Sequence, residues 1–390
     1  MVLSLETKCL HLEKKTTGAL RDDGKPYCNH YGSISFPIYQ TATYAHPAAG
    51  QSTGFDYSRL QNPTREQLEK VVCQLEGGVD ALALSSGMAA ISLLMELFSP
   101  GDHIISDSDL YGGTIRLFDN VNKKNGISFT RVDCADADIE SLITPKTKAI
   151  YVETPTNPMM NITDIAKIAG IAHRHNLHLI VDNTFMSPYF QTPLALGADI
   201  VVHSGTKYLS GHNDTLAGFI VTNNKAVQEK LRFLIKTTGA GLSPFDSWLI
   251  LRGIKTLAIR MEKSQENAMK IARWLKTQKS VTRVIYPGLK EHGGYDIQKK
   301  QARGFGAMLT FQTDTTQRAL SVLSRVQLIQ YAESLGGVET LITYPTTQTH
   351  ADVPEDIRIK NGITPATLRL SVGVENADDL IADLERALNF

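Results

Sequence analysis

A lysine at the end of a short apolar run raises the first question about chemistry. In VVHSGTKYLSGHND, residues 201–214, Lys207 follows a strand-like segment and stands close to the hydroxyl groups of Ser204 and Thr206. A lysine ammonium group is strongly hydrated and therefore costly to bury. Lys207 is either an ordinary loop lysine or a lysine that loses its proton and bonds covalently to a carbonyl group.

A carboxylate ends another apolar run upstream. Asp182 closes the strand-like segment of HLIVDNTF, about one strand–crossover–strand unit before Lys207, so both side chains could face one site. A carboxylate this close to a buried strand requires a partner. A cationic ring nitrogen of a ligand would serve, and so would an internal arginine or lysine.

Three further strand ends carry polar or aromatic groups. In ALALSSGMAA, the backbone N–H groups of Gly87 and Met88 would open a helix, which suits phosphate binding but is also a common packing turn. Tyr111 in SDLYGGT could stack on a flat ring or donate a proton, or simply be half-buried at a helix start. Asn157 in VETPTNP lies between two prolines, in a loop suited to ligand contact or to a plain turn.

These groups are specific as a set. A phosphate cradle, a ring-stacking tyrosine, a buried acid and a strand-end lysine together describe a site for pyridoxal 5′-phosphate. The lysine would form an imine with the aldehyde, and the aspartate would keep the pyridine nitrogen protonated.

The elements that must position these residues alternate between strands and helices. ALALSS, HIISD, AIYVETP, HLIVDN and ADIVVHS are short apolar runs separated by helical segments, which predicts a mainly parallel sheet with helices on both faces. In such sheets, ligands bind outside the carboxyl ends of the strands. A helix is predicted in NPTREQLEKVVCQLEGG, with Asn62 as N-cap, Pro63 at its first position and Gly77 at its end.

Three parts of the chain are expected. Residues 1–60, including the turn-rich RDDGKPYCNHYG, are predicted to form an irregular arm that packs on something else, such as a partner subunit. Residues 61–245 form the α/β domain, and residues 246–390 form a smaller α+β domain. A helical stretch after residue 243 is too long for one helix, and Arg252-Gly253 is its predicted break.

Composition excludes several classes of protein. The 390 residues carry 40 basic and 40 acidic side chains, which argues against bulk nucleic-acid binding. No apolar run approaches membrane-spanning length, and the N-terminal segment does not read as a signal peptide. The cysteines are scattered and form no C-x-x-C pair, so a reducing cytoplasm is expected and a zinc site or disulfide framework is not; they are Cys9, Cys28, Cys73 and Cys134.

Seven stretches resemble one family over nearly the whole chain: SGTKYLSGHND, VETPTNP, VDNTF, SSGMAA, DLYGGT, YSRLQNPTR and AESLGGVETL. The family is the cystathionine/methionine-metabolism class of fold-type-I pyridoxal-phosphate enzymes. The resemblance implies Lys207 as the Schiff-base lysine and proton shuttle, and Asp182 as the partner of the pyridine nitrogen. It implies a phosphate site formed by Gly87, Met88, Ser204 and Thr206.

The resemblance also implies contacts to substrate and to a second subunit. Tyr111 would stack on the cofactor ring and act as an acid for the leaving group. The substrate amino acid would be held by Asn157, Ser334 and Arg369, with Arg369 gripping the α-carboxylate. In the arm, Tyr57 and Arg59 would reach the phosphate of the neighbouring subunit, which implies a homo-oligomer of at least two chains, with a tetramer expected.

The resemblance implies chemistry at the γ carbon of an activated homoserine or a sulfur amino acid. The preferred hypothesis is cystathionine γ-synthase or O-acylhomoserine sulfhydrylase activity in methionine synthesis. Cystathionine γ-lyase is the alternative, and β-lyase or methionine γ-lyase activity stays open. Methionine γ-lyases usually carry a cysteine where this chain has Gly113, and Gln61 and Asn213 are minor departures in loops.

Two hypotheses of other classes remain. A metal-dependent hydrolase would use the histidines at positions 173, 175, 178, 203 and 212, but His173 and His175 are two residues apart near a helix end and point to different sides, so no metal is expected. A non-catalytic assembly protein on the same fold is disfavoured by the presence of Lys207, Asp182 and Arg369.

Overall fold

A seven-stranded sheet forms the centre of the first two-thirds of the chain in this computed structural model, which describes residues 3–11 and 33–389. Its strands are β1 (Asp80–Leu84), β2 (His103–Asp107), β3 (Ser128–Val132), β4 (Thr147–Glu153), β5 (His178–Asp182), β6 (Ile200–Ser204) and β7 (Gly218–Thr222). They lie in the order β1-β7-β6-β5-β4-β2-β3. Only β7 is antiparallel to its neighbours, so the predicted, mainly parallel sheet is confirmed.

Both faces of this sheet are buried. Along β5, Leu179 and Val181 belong to one apolar cluster, and the intervening Ile180 belongs to another, as the two-residue period of a strand dictates. The helices are α1 (Leu5–His11), α2 (Pro63–Glu76), α3 (Gly87–Met95), α4 (Gly112–Leu117), α5 (Ile165–Arg174), α6 (Ser187–Phe190), α7 (Lys225–Thr238), α8 (Pro244–Ile254), α9 (Leu257–Leu275), α10 (Tyr295–Gln301), α11 (Thr316–Arg325), α12 (Glu355–Lys360) and α13 (Ala377–Leu388). None of the helices within the described ranges is long and apolar enough to cross a bilayer.

A smaller sheet follows in the last third of the chain. Its strands are β8 (Val281–Ile285), β9 (Met308–Thr313), β10 (Gln330–Tyr331), β11 (Leu341–Thr343) and β12 (Thr367–Ser371), in the order β10-β11-β12-β9-β8. One apolar cluster includes Val181 of the larger sheet and Leu309 and Leu370 of the smaller one, so the two sheets share a core. The domain boundary near residue 245 stays a prediction.

The arm is not irregular throughout. Helix α1 buries Cys9, and Leu5 packs against the same core, because a spacing of four residues places both on one helix face. Between residues 33 and 62 the chain forms no helix, only an isolated bridge between Thr43 and Tyr57. The turn-rich residues 21–32, with Cys28, lie outside the described residues.

The helical stretch after residue 243 is broken into two helices as predicted, but the break lies between Ile254 and Leu257 and not at Arg252-Gly253. Helix α8 continues to Ile254, and α9 begins at Leu257. A Cβ atom at Gly253 would lie 2.2 Å from the carbonyl oxygen of Ser210. The glycine therefore permits a close approach between helix α8 and the loop that contains Ser210. It is required for packing and does not end the helix.

The predicted N-cap of α2 is confirmed, and it also fastens the arm. The Asn62 side-chain oxygen accepts hydrogen bonds from the backbone N–H groups of Thr64 and Arg65. Its amide nitrogen lies within hydrogen-bond distance of three oxygens of the arm: the Tyr39 carbonyl at 2.9 Å, Ser58 Oγ at 3.0 Å and the Tyr44 hydroxyl at 3.2 Å. One buried side chain thus joins the helix start to the segment before it.

Replacing Asn62 should separate these two roles. Asn62→Ala removes both and should lower the free energy of unfolding by about 1–2 kcal/mol. Asn62→Asp keeps the cap oxygens but loses the amide donors, so its loss should be smaller, while protease cleavage before residue 62 should accelerate in both variants. Urea unfolding and limited proteolysis measure the two effects. Equal cleavage rates in Asn62→Asp and the unsubstituted protein would show that the arm does not depend on this amide.

Candidate active site

The carboxyl ends of β4, β5 and β6 open into a cavity of about 320 Å³. In the register of the sheet, Glu153 lies beside Asp182, and Asp182 lies beside Val202; all three line the cavity. It is also lined by ten of the predicted site residues: Gly87, Met88, Tyr111, Asn157, Asp182, Ser204, Thr206, Lys207, Ser334 and Arg369. The topology therefore brings together strand ends and loops that are far apart in the sequence.

Lys207 projects into this cavity from the turn after β6. Its Nζ donates a hydrogen bond of 2.8 Å to Ser334 Oγ. Burial, together with the positive charge of Arg369, lowers the pKa of Lys207 to about 8. At pH 7 about a tenth of the amine is therefore neutral, whereas less than about a thousandth of an exposed loop lysine would be, because the pKa of that lysine is near 10.4. The geometry favours the second of the two interpretations of this residue.

Asp182 forms part of the cavity floor and is held by hydroxyl and amide donors. Its Oδ1 accepts from Thr184 N at 3.0 Å and from Thr184 Oγ1 at 2.6 Å. Burial raises the pKa of Asp182, and the bonds from Thr184 oppose that rise. Within residues 3–11 and 33–389, no arginine or lysine forms a salt bridge with Asp182, so the carboxylate can meet a cationic group in the cavity.

An anion site lies at the start of α3. Ser86 caps the helix by accepting from Ala89 N at 3.0 Å. The N–H groups of Gly87 and Met88 are left without partners inside the helix, as in any helix start. A Cβ atom at Gly87 would lie 3.0 Å from Ser204 Cβ, so glycine permits the close approach of these two segments. Of the four residues predicted to bind the phosphate, Thr206 already has a partner within the protein, because its hydroxyl group accepts a hydrogen bond from Ala217 N at 3.0 Å.

Tyr111 forms one wall of the cavity. Its backbone N–H donates to Glu153 Oε2 at 2.9 Å, and 40% of its surface is exposed. A Cβ atom at Gly113 would lie 2.5 Å from Tyr111 Cε1 and 3.0 Å from Met88 Sδ. A side chain at position 113 would therefore displace the ring, which gives a physical reason for the glycine at this position.

Arg369 reaches the cavity from β12 of the smaller sheet. Its guanidinium group donates to Asn157 Oδ1 at 2.8 Å, and to the Ser334 carbonyl and Thr343 Oγ1 at 3.0 Å each. The buried Nε has no hydrogen-bond partner. Burial lowers the pKa of Arg369 to about 10, so the group stays cationic at neutral pH. It is suited to bind a carboxylate.

Two predicted site residues do not reach this cavity. Tyr57 is 44% exposed, and the Arg59 guanidinium lies over its ring, 5.6 Å from the centroid. Arg59 also donates to the carbonyl oxygen of Lys236. Their assignment to a neighbouring subunit stays a prediction.

The histidines of the metal hypothesis do not converge. His173, His175 and His203 each pair with a different acidic residue: Asp199 at 3.3 Å, Glu140 at 2.9 Å and Glu76 at 2.6 Å, respectively. No group of three or more histidine, cysteine or acidic residues in the described part of the chain is arranged to hold a metal ion. The structure thus offers this hypothesis no assembled ligand set.

Sequence reasoning missed several lining residues. Glu153 and Thr184 stand inside quoted motifs, two positions before Pro155 and two after Asp182, and their positions at or just after strand ends could have identified them. Thr349 belongs to a loop in which the sequence analysis predicted no site residue. Its carbonyl oxygen would lie 2.2 Å from a Cβ atom at Gly112, so only the folded chain brings it to the site.

The side chains fit a phosphorylated aromatic aldehyde together with an amino acid. The free helix N–H groups and Ser204 suit a phosphate, Asp182 suits a protonated ring nitrogen, and Lys207 suits the aldehyde. The unpartnered Nε of Arg369 is a donor for the carboxylate of an amino acid. This donor set is that of a pyridoxal-phosphate site.

Comparisons with known proteins agree with this chemistry. A family model described as Cys/Met metabolism PLP-dependent enzyme matches residues 17–389. The chain is 50% identical over 358 residues to the cystathionine gamma-synthase/O-acetylhomoserine (thiol)-lyase of Bacillus subtilis, covering 92% of each protein. It is 47% identical over 389 residues to the cystathionine beta-lyase of Lactococcus lactis subsp. cremoris, covering 99% of each. The crystal structure of cystathionine gamma-lyase from Lactobacillus plantarum complexed with L-serine superposes with a TM-score of 0.92 at 46% identity, covering 99% of this chain and 98% of that one.

The lowered pKa of Lys207 is directly measurable in the protein free of cofactor. Competitive acetylation of amino groups, followed by mass spectrometry of the peptide containing Lys207, reports the neutral fraction of that amine at each pH. Labelling should rise with a midpoint near pH 8, whereas a model lysine peptide in the same tube should rise near pH 10.4. A Lys207 midpoint that coincides with the peptide would mean that the amine is not desolvated.

Proposed function

The chain belongs to the Cys/Met metabolism PLP-dependent enzyme family, and from this premise we propose that it catalyses γ-replacement on an O-acylhomoserine. The proposed activity is that of a cystathionine γ-synthase or O-acetylhomoserine sulfhydrylase, in methionine synthesis. The cofactor is pyridoxal 5′-phosphate, and the reaction class is transsulfuration. The relative from Bacillus subtilis, 50% identical and named for both activities, supports this choice.

One observation supports the proposal most directly: Ser334 accepts hydrogen bonds from both Lys207 and Arg369. Its Oγ accepts from Lys207 Nζ, and its carbonyl oxygen accepts from Arg369 Nη2. The amine of Lys207, which the amino group of a substrate can replace on the cofactor aldehyde, therefore lies next to the guanidinium group of Arg369, which can bind a carboxylate. An α-amino acid carries those two groups on one carbon, so its Cα would be presented to Lys207.

The side chains divide the proposed chemistry among them. Bound pyridoxal phosphate supplies an electron sink for negative charge that develops on the substrate carbons. Arg369 and Asn157 hold the α-carboxylate and fix the orientation of Cα. Lys207, whose lowered pKa makes it a competent base, moves protons at Cα and Cβ of the substrate. Tyr111 lines the same cavity, and its proposed role is to donate a proton to the leaving group.

A second candidate is elimination from cystathionine, which yields a 2-oxo acid, ammonia and a thiol. The solved γ-lyase with a TM-score of 0.92 and the β-lyase at 47% identity support it. Both candidates use Lys207, Asp182 and Arg369 in the same roles. Methionine γ-lyase activity is disfavoured by Gly113, which leaves the wall beside Tyr111 without the usual cysteine.

Steady-state rates on a substrate panel test the proposal. The holoenzyme is offered O-acetylhomoserine or O-succinylhomoserine with cysteine or sulfide, and separately cystathionine or methionine without an acceptor. We expect the highest kcat/KM for an O-acylhomoserine with a thiol acceptor, and Lys207→Ala should lose several orders of magnitude on every substrate. Faster 2-oxo acid release from cystathionine than replacement on any acylhomoserine would assign the chain to the lyases instead.

We also propose that the active unit is at least a dimer, and a tetramer built as a dimer of dimers. Among the described residues that line the cavity, the basic ones are Lys207 and Arg369, and both form hydrogen bonds with Ser334 and not with the anion site at the start of α3. A phosphate dianion there calls for another cation, which Arg59 of a second copy would supply. A neighbouring cavity of about 1040 Å³ shares Thr206 with the site and provides room for such an arm.

The proposed location is the cytoplasm. Three cysteines in the described part of the chain are free thiols, namely Cys9, Cys73 and Cys134. Free thiols are typical of a reducing compartment.

Subunit complementation tests the crossing arm. Arg59→Ala and Lys207→Ala chains should each have little activity. A mixed dimer has one site that combines an intact arm with an intact lysine, so mixing should restore up to about a quarter of the wild-type activity, if subunits exchange at random. Differently tagged chains purified in tandem establish that mixed dimers form. Mixed dimers without recovered activity would mean that the arm serves its own subunit.

A further inference from the structure

Two carboxyl groups lie side by side on the floor of the active-site cavity. Glu153 and Asp182 end adjacent parallel strands and are register partners, so their backbones are about 4.8 Å apart. Both residues are buried, with 5% and 8% of their surfaces exposed. Two like charges this close in a desolvated site cannot both be ionised cheaply, and one of the two groups retains a proton.

The surroundings of the two groups differ in a way that decides which one is protonated. Asp182 accepts two hydrogen bonds from Thr184, and His203 on the neighbouring strand favours its ionised form. Glu153 accepts one backbone N–H, from Tyr111. The ionised form of Asp182 is therefore stabilised by more hydrogen-bond donors than the ionised form of Glu153.

The other ionisable groups around Glu153 are mostly acids. Asp107 and Asp109, near the end of β2, each have a buried carboxyl oxygen without a partner, and Tyr151 lies on the same strand as Glu153. The cations that line the cavity are bonded elsewhere: Arg369 to Asn157, Ser334 and Thr343, and Lys207 to Ser334. No described arginine or lysine forms a salt bridge with Glu153 that would favour its charged form.

We propose that Glu153 is a neutral, proton-bearing carboxylic acid that anchors Tyr111 and confines the negative charge of the cavity floor to Asp182. This inference rests on the proposed function, because it concerns how the same cavity would bind the protonated ring nitrogen of the cofactor. Glu153 is a positioning residue: it acts on the ring through the backbone of Tyr111 and through the charge state of its neighbour.

The electrostatics of the site agree with this assignment. Burial, the charge of Asp182 and the nearby Asp109 and Asp107 all raise the pKa of Glu153 well above its ordinary value, and only the N–H of Tyr111 opposes them. A single ionised carboxylate on the cavity floor, that of Asp182, pairs with one ring cation. A second anion would be left without a partner in a buried site, which is costly.

Glu153→Gln is the matched variant, because its amide is neutral and keeps an oxygen that can accept from Tyr111 N. The first readout is the thermal midpoint of the cofactor-free protein from about pH 5 to about pH 8. In the unsubstituted protein the folded state retains a proton that the unfolded chain releases above about pH 4.3, so its stability falls as pH rises. The midpoint of Glu153→Gln minus that of wild type should therefore increase steadily with pH.

A difference between the two midpoints that stays constant from about pH 5 to about pH 8 would mean that Glu153 is already ionised in the folded protein, and it would overturn the proposal. This readout involves neither substrate nor turnover, so it is independent of whether γ-replacement is the reaction. A second readout compares kcat of the holoenzyme for Glu153→Ala and Glu153→Gln. Glutamine should restore at least about tenfold over alanine, because it keeps the anchor of Tyr111. A glutamine variant as impaired as the alanine variant would show that the charge of Glu153 is required and would also overturn the proposal.

Discussion

The parallel register of β4, β5 and β6 is the constraint on which the site depends. Parallel strands of one sheet end at one edge, so the residues that close them become neighbours without any local motif joining them. Glu153, Asp182 and Ser204 end three such strands, and Lys207 follows the last of them. A slip of one residue in any strand would turn its terminal side chain to the other face.

The second constraint is that the site keeps its charges available to ligands. Lys207 and Arg369 are bonded to neutral groups, namely Ser334, Asn157 and Thr343, and Asp182 is held by Thr184. Pairing these ions with one another would stabilise the fold, but it would consume the groups that must meet a phosphorylated cofactor and an amino acid. Holding a cation against neutral partners is costly, and the lowered pKa values of Lys207 and Arg369 are the expression of that cost.

Much of this arrangement could be predicted from the sequence, because strand ends, caps and glycines leave local signals. Asn62, the parallel sheet and the strand-end positions of Asp182 and Lys207 follow from such signals. The exact position of the break between α8 and α9 could not be predicted, because a glycine required by a close contact is indistinguishable in sequence from one that ends a helix. Helix α1 is too short to show periodicity. Thr349 reaches the cavity through tertiary packing alone, which no local pattern encodes.

The contact between the two sheets explains why the recognisable motifs identify the enzyme family but do not distinguish between its reactions. Asn157 follows the larger sheet and Arg369 belongs to the smaller one, and their hydrogen bond spans the shared core. Together with Lys207 they surround the place where the carboxylate and amino groups of a substrate would lie. Those two groups are common to acylhomoserines, cystathionine and methionine, so the proposed roles of these residues are the same for a synthase and for a lyase. We therefore expect discrimination between replacement and elimination to reside where the γ substituent would extend, along the part of the cavity wall formed by residues outside the shared motifs.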